Sequence, residues 1–291
     1  MIWHLRRCTK ATVLLVLWAG SLWADVPVHA ASVQERALLR QTEAQVRRYF
    51  RTTFGVEVTT PFALVGAGDA EALLSQVQAA QSAGGWRVRR KPLNAARVCP
   101  SGRIGGAANR TFIALCWPMP VTGGAGYHAL RLSAGAVLAH EYIHQLQYDL
   151  AQDRPAQRLG DDWLLGPAWL VEGTAEVFEE HYRTGGAAVD GAALFNMQSS
   201  ARRSRLTLDQ MRVTGALADG QAYGVARFAG FLLSGRYGAD ALLDYFAALG
   251  RTKDQDAAFL AAFGTTMVAF ESDFEAVRRD FGAAKAYVGM E

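Results

Sequence analysis

Apolar positions recur along this chain with two spacings, and the change from one to the other divides it into an earlier mixed part and a later helical part. Residues 32–53 and 69–83 carry helical spacing. Residues 56–65, 86–91 and 111–117 read as extended segments, the first interrupted by Pro61. A helix is expected from Ser133, placed to act as its N-cap, because Ala136, Leu138, Ala139, Tyr142, Ile143, Leu146 and Leu150 fall at helical intervals with few breakers before Pro155. Beyond it the pattern predicts helices over 167–183, 208–213, 222–236 and 239–249. Further helical segments run to about Phe281, with Gly238, Gly250 and Gly264 as separators. The expected class is α+β. Residues 31–132 form an upper lobe with the sheet, residues 133–291 a helical lower lobe, and a cleft between them has the Ser133 helix at its floor.

Composition changes this picture at the N-terminus. Arg6, Arg7 and Lys10 precede a 14-residue apolar run, 11–24, with small residues at Ala24 and Ala30. This is the three-part form of a secretory signal cleaved after Ala24 or Ala30, and the run is short for a membrane span, although an uncleaved anchor has the same ingredients. Cys8 lies before the apolar run, so no cysteine stands ready for lipid attachment at the junction. The expectation is an exported bacterial protein, periplasmic or extracellular, without stable membrane association once the signal is removed.

The formal charge of +3 comes from 30 basic and 27 acidic residues; cleavage after Ala30 removes three basic residues and Asp25, leaving 27 against 26. The basic clusters at Arg87, Arg89, Arg90 and Lys91 and at Arg202, Arg203 and Arg205 then read as solvated edges, and no nucleic-acid partner is expected. Cys99 and Cys116 are the two cysteines that remain after cleavage. An even pair in an oxidising compartment suggests a disulfide, with two buried thiols as the alternative.

The chemistry concentrates in His140-Glu141-Tyr142-Ile143-His144. On a helix, H-E-x-x-H sets two imidazoles one turn apart with a carboxylate beside them, the pattern of a zinc site that carries its own general base. With 6 histidines and 12 glutamates in 291 residues, roughly 0.005 chance matches are expected. Catalytic zinc takes three protein ligands, and Glu172 is the best third candidate: it lies between apolar residues in a segment that Pro167 opens as a helix. Glu176, one turn on, can reach the outer N–H of a ligand histidine. Glu179 and Glu180 continue an acidic face.

H-E-x-x-H followed 28 residues later by the glutamate of W-L-x-E-G-x-A-E resembles the gluzincin metallopeptidases, above all the peptidase MA-like families related to thermolysin and the zinc aminopeptidases. The resemblance covers about residues 110–250. It implies a thermolysin-like core, one zinc ion per chain held by His140, His144 and Glu172, Glu141 as the base, and an outer role for Glu176. Tyr223, in Tyr223-Gly224-Val225-Ala226-Arg227-Phe228, is similar to the helix-opening tyrosine that stabilises an oxyanion in aminopeptidase relatives. Gly105-Gly106-Ala107-Ala108-Asn109 stands where those relatives carry G-x-M-E-N, so Ala108 replaces the acid that holds a substrate's free amine; a plain Gly-rich turn accounts for the same residues.

The expected reaction is hydrolysis of peptide bonds in a peptide or protein substrate, with Glu141 moving the water's proton to the leaving amine. Tyr223 is the expected oxyanion donor, and His128 and His181 are the fallback donors. The segment 111–117 is expected to be an exposed edge able to pair with an extended substrate. Loss of the amine anchor favours an endopeptidase. The alternatives are an exopeptidase or cell-wall amide hydrolase of the same fold, or a non-catalytic zinc-binding protein.

Overall fold

The computed structural model describes residues 26–85, 93–118, 121, 125–153, 165–218 and 220–290. The proposed signal segment up to residue 24 and the extended segment expected at 86–91 lie outside the described residues.

Local sequence signals begin the first helix cleanly. α1 (Val33–Phe54) starts at Ser32, whose side chain accepts from the Glu35 amide while Glu35 accepts from the Ser32 amide, and it ends at Gly55 in a left-handed conformation. Its buried stripe, Leu38, Leu39, Val46 and Phe50, enters the main core, with Leu39 against Gly66 of a four-stranded sheet and Phe50 stacked on Tyr142 at 5.3 Å. The strands are β1 (Val28–His29), β2 (Ala63–Ala67), β3 (Gly105–Ala108) and β4 (Phe112–Cys116), in the order β1-β2-β4-β3. β1, β2 and β4 run parallel and β3 is antiparallel to β4. Because successive strand side chains alternate, Leu64, Ile113 and Leu115 enter the main core. Ala63, Val65, Phe112 and Ala114 enter a smaller core with Leu73 and Val77 of α2 (Ala70–Ala83) and Val98 of α3 (Ala95–Val98).

Pairing in β2 starts only at Ala63, not at residue 56, and β2 extends past Val65. Pro61 has no N–H, and the amides before it are taken by side chains: Val58 donates to the Tyr142 hydroxyl at 3.0 Å, Thr59 and Thr60 to Asp149 Oδ2 at 2.6 and 3.1 Å. β4 is not an edge. The Gly-rich segment forms β3 and covers it, so among the described residues the edge strands of the sheet are β1 and β3.

α4 (Ala125–Leu150) begins well before Ser133, which is an exposed interior residue of the helix and not its N-cap. The extra turns dock on α1: Leu130 is buried and the Tyr127 hydroxyl donates to Gln41 at 3.1 Å. α4 therefore crosses the lobe boundary expected at 132/133, and one main core runs from Leu38 in α1 to Ala284 near the C-terminus. The molecule is mostly helical with a small mixed sheet, in keeping with the α+β class.

After α4 come α5 (Ala168–Thr184), α6 (Gly191–Ala201), α7 (Ala222–Tyr237), α8 (Asp240–Thr252), α9 (Gln255–Phe263), α10 (Met267–Arg279) and α11 (Phe281–Tyr287). Residues 208–213 do not form an α-helix. Two 3-10 turns, Asp209–Arg212 and Thr214–Ala218, occupy that region, with Met211 outside helical backbone angles. Gly250 does not separate helices but lies inside α8, where a Cβ would come within 2.2 Å of the Leu150 carbonyl oxygen; its missing side chain lets α8 pack on the end of α4.

Candidate metal centre

α4 supplies the first half of the site. Residues 141–148 of this helix are all buried, and the 3.6-residue period sets His140, His144 and Gln147 along one face. α5 supplies the other half, and its position is set by small residues. A Cβ on Gly173 would lie 2.4 Å from the Ala226 carbonyl oxygen of α7, and one on Gly230 would lie 2.4 Å from the Gly173 carbonyl oxygen. The two backbones thus cross in near contact right beside Glu172. Trp169 fixes the start of α5, stacked on Phe270 at 5.5 Å and donating to Glu271 at 3.0 Å.

The two elements bring His140, His144 and Glu172 together. Glu172 Oε2 lies 3.5 Å from His140 Nε2 and 3.8 Å from His144 Nε2, with each of the three side chains only 11–12% exposed. Ligand atoms around a tetrahedral zinc ion are about 3.3 Å apart, so this spacing is close to that of a ligand set. These three residues could hold a metal ion.

The outer nitrogens of both rings are engaged. Gln147 Oε1 accepts from His144 Nδ1 at 2.8 Å, and its own Nε2 donates to the Val171 carbonyl oxygen at 2.9 Å. That second bond fixes which way the amide faces, so Nδ1 of His144 carries the proton and Nε2 presents a lone pair toward Glu172. His140 Nδ1 meets Glu179 Oε2 at 3.2 Å. Sequence reasoning put this outer role on Glu176; in the structure Glu179 stands there, while Glu176 pairs with Arg227 Nε at 3.8 Å. His140, Glu176 and Glu179 make a second grouping, less buried, whose acids already have these partners.

The buried groups of this centre shift one another in different directions. Burial opposes a charged His140, but Glu172 and Glu179 outweigh it and hold its pKa well above the ordinary value; burial lowers that of His144. Burial would raise the Glu172 pKa, yet His144, His140 and Arg97 together hold it below the usual carboxylate value. Glu141 lies on the sheet side, so close beneath β3 that a Cβ on Gly106 would be 2.7 Å from its Oε1. Burial pushes its pKa up to about 8, with His140 opposing and Glu172 and Glu179 adding to the rise.

Neither fallback histidine joins the group. His128 is exposed three helical turns before His140, about 18 Å along α4. His181 pairs with the Tyr49 hydroxyl at the far end of α5.

No family model, curated protein or solved structure matches this chain.

Tyr223, in the first turn of α7, feels the charges of Glu172, Glu141 and Glu176, and burial raises its pKa so that the hydroxyl keeps its proton. It accepts from Arg97 Nη2 at 3.2 Å. Gln147, Glu179 and Arg97 were not singled out from the sequence. Helical spacing did carry a signal for two of them: Gln147 is three residues from His144, and Glu179 is seven from Glu172, on the same face as Glu176. Arg97 had no such signal. Cys99 and Cys116 are joined in a disulfide that ties the end of α3 to β4, with Cα atoms 5.1 Å apart. Among the described residues no helix is long and apolar enough to cross a membrane.

Proposed function

We propose that this chain is an exported zinc-dependent metallopeptidase of gluzincin type with a thermolysin-like core. The observation that carries this reading is the convergence of both Nε2 atoms on Glu172 Oε2, with each ring's outer nitrogen already engaged. His140, His144 and Glu172 would hold the ion. When bound, zinc supplies polarisation of a carbonyl oxygen and acidification of water.

The chain's own residues supply the rest. Glu141, adjacent on the helix and not part of the ligand convergence, accepts the water's proton and returns it to the leaving amine; a carboxyl whose pKa is raised by burial suits both halves of that transfer. Tyr223 donates a hydrogen bond to the oxyanion. Among the described residues β3 pairs on one side only, with β4, and its other edge would bind an extended peptide directly above Glu141. Ala108, at the end of that strand, offers no carboxylate for a free amine, which favours cleavage away from a substrate's N-terminus. The N-terminal signal pattern and the Cys99–Cys116 disulfide agree with an oxidising compartment.

The test compares metal-loaded wild type with Glu141→Gln on a broad peptide library. Metal should stay bound in the variant while hydrolysis falls by at least about 100-fold. Equal hydrolysis by both would remove the peptidase assignment and leave a metal-binding protein without this activity.

A further inference from the structure

Among the described residues near the centre, Arg97 is a charge with no ion-pair partner. Around the candidate metal group, Glu172 faces the two histidines, Glu179 faces His140, and Glu176 and Glu180 share Arg227. Glu141 is the intended base. Arg97 is exposed, and its hydrogen bonds run from one nitrogen, Nη2, to two neutral acceptors, the Leu217 carbonyl oxygen and the Tyr223 hydroxyl, each at 3.2 Å. Among the described residues no carboxylate forms an ion pair with it. A guanidinium has five N–H donors in a planar fork that matches a carboxylate, so most of its capacity is unspent.

Its placement is built and aimed at the site. Arg97 projects from α3, which is anchored by buried Ala95 and Val98 and by the disulfide at Cys99, and it reaches across to Tyr223 on α7. The guanidinium carbon lies 5.9 Å from the centre of the Tyr223 ring. Tyr223 stands one turn before Ala226, whose carbonyl oxygen packs against Gly173, the residue after Glu172. A cation therefore stands at the rim of the centre, next to the hydroxyl assigned to the oxyanion.

We infer that Arg97 binds a carboxylate of the substrate close to the scissile amide, so that the site selects peptides carrying a negative charge there. This rests on the metallopeptidase reading above. The carboxylate is either a free C-terminal group or an acidic side chain, and these differ in what the enzyme would do: trim short peptides from the C-terminus, or cut beside Asp or Glu within a chain.

The experiment uses the full mature protein, metal-loaded and carrying Glu141→Gln so that ligands are not consumed. Titration calorimetry measures binding of three probes: acetyl-Ala-Ala-Ala with a free carboxylate, the same peptide as its C-terminal amide, and acetyl-Ala-Ala-Glu as its amide. At least one carboxylate-bearing probe should bind roughly 10 to 100-fold more tightly than the uncharged amide, and Arg97→Gln should erase that preference. Arg97→Lys should restore part of it, because charge returns without the fork. Preference for the first probe alone assigns the C-terminal group, and preference for the third assigns an acidic side chain. No preference in the Arg97 protein, no binding of either carboxylate probe, or an unchanged preference in Arg97→Gln overturns the inference. Carboxylate preference without hydrolysis by the Glu141 enzyme would count against the peptidase reading alone; hydrolysis indifferent to carboxylates and to Arg97 would count against this inference alone.

Discussion

Gln147 holds His144 from behind, accepting from Nδ1 at 2.8 Å while its amide nitrogen donates to the carbonyl oxygen of Val171, the residue before Glu172. One buried amide thus joins a candidate ligand on α4 to the backbone that carries a candidate ligand on α5. Gln147→Leu should weaken zinc affinity about 10 to 100-fold, measured by competition with a chromophoric chelator. Glu179→Gln should cost a similar factor, and Glu176→Gln distinctly less, since Glu176 is paired with Arg227. A larger loss for Glu176→Gln than for Glu179→Gln would return the outer role to Glu176.

Gly173→Ala tests whether the crossing of α5 and α7 sets the site. The new methyl would fall 2.4 Å from the Ala226 carbonyl oxygen, and a backbone on each side leaves little room to yield. Overpacking of this kind costs about 1–3 kcal/mol, read as a lowered denaturant midpoint. Zinc affinity should fall as well, although no ligand is altered. Gly191→Ala, where a Cβ meets nothing within 4 Å, is the control and should leave both quantities nearly unchanged.

Gly106→Ala addresses the contact between the edge strand and Glu141, the proposed base. Its Cβ would approach Glu141 Oε1 to 2.7 Å and Val137 Cγ1 to 2.8 Å, so either β3 lifts or the carboxylate turns. Zinc content should be unchanged while peptide turnover falls by about 100-fold, the cost typical of a misplacement near 1 Å. Wild-type turnover in this variant would show that the proposed role of Glu141 does not depend on the strand above it.

Cys99 and Cys116 should resist alkylation until a reductant is added, as peptide mass mapping can show. Their sequence separation of 17 residues corresponds to about 3 kcal/mol of stability in the chain-entropy account, so Cys99→Ser with Cys116→Ser should unfold at lower denaturant by that amount. Recovery of both as free thiols from protein made in an oxidising compartment would remove the bridge.

Sequence reasoning located α1, α2, α5 and α7 to within a residue or two of their observed starts, because helical spacing, and at α5 the opening Pro167, are local signals. It also put His140 and His144 on one helix face, which follows from the α-helical period alone. It misread the start of α4, where Ser133 has a capping side chain but the upstream turns gain their stability by docking on α1. It left β3 open as a Gly-rich turn, since Gly105, Gly106, Ala107 and Ala108 show no alternation of apolar and polar side chains.

The composition of the centre beyond the His-Glu-x-x-His run depended on relations the sequence does not display. That Glu172 meets both imidazoles depends on the packing of α5 against α4 and on the glycine contact that seats α5 on α7. That Glu179 rather than Glu176 meets His140 depends on how far α5 is rotated about its axis, because both lie on the Glu172 face. Arg97 reaches Tyr223 across 126 residues of chain. Backbone sterics and hydrogen bonding set the helical period within a few residues, so the sequence alone determined which side chains share a face. Which faces meet is decided by burial of apolar surface between segments far apart in the chain, and only the tertiary structure contains that choice.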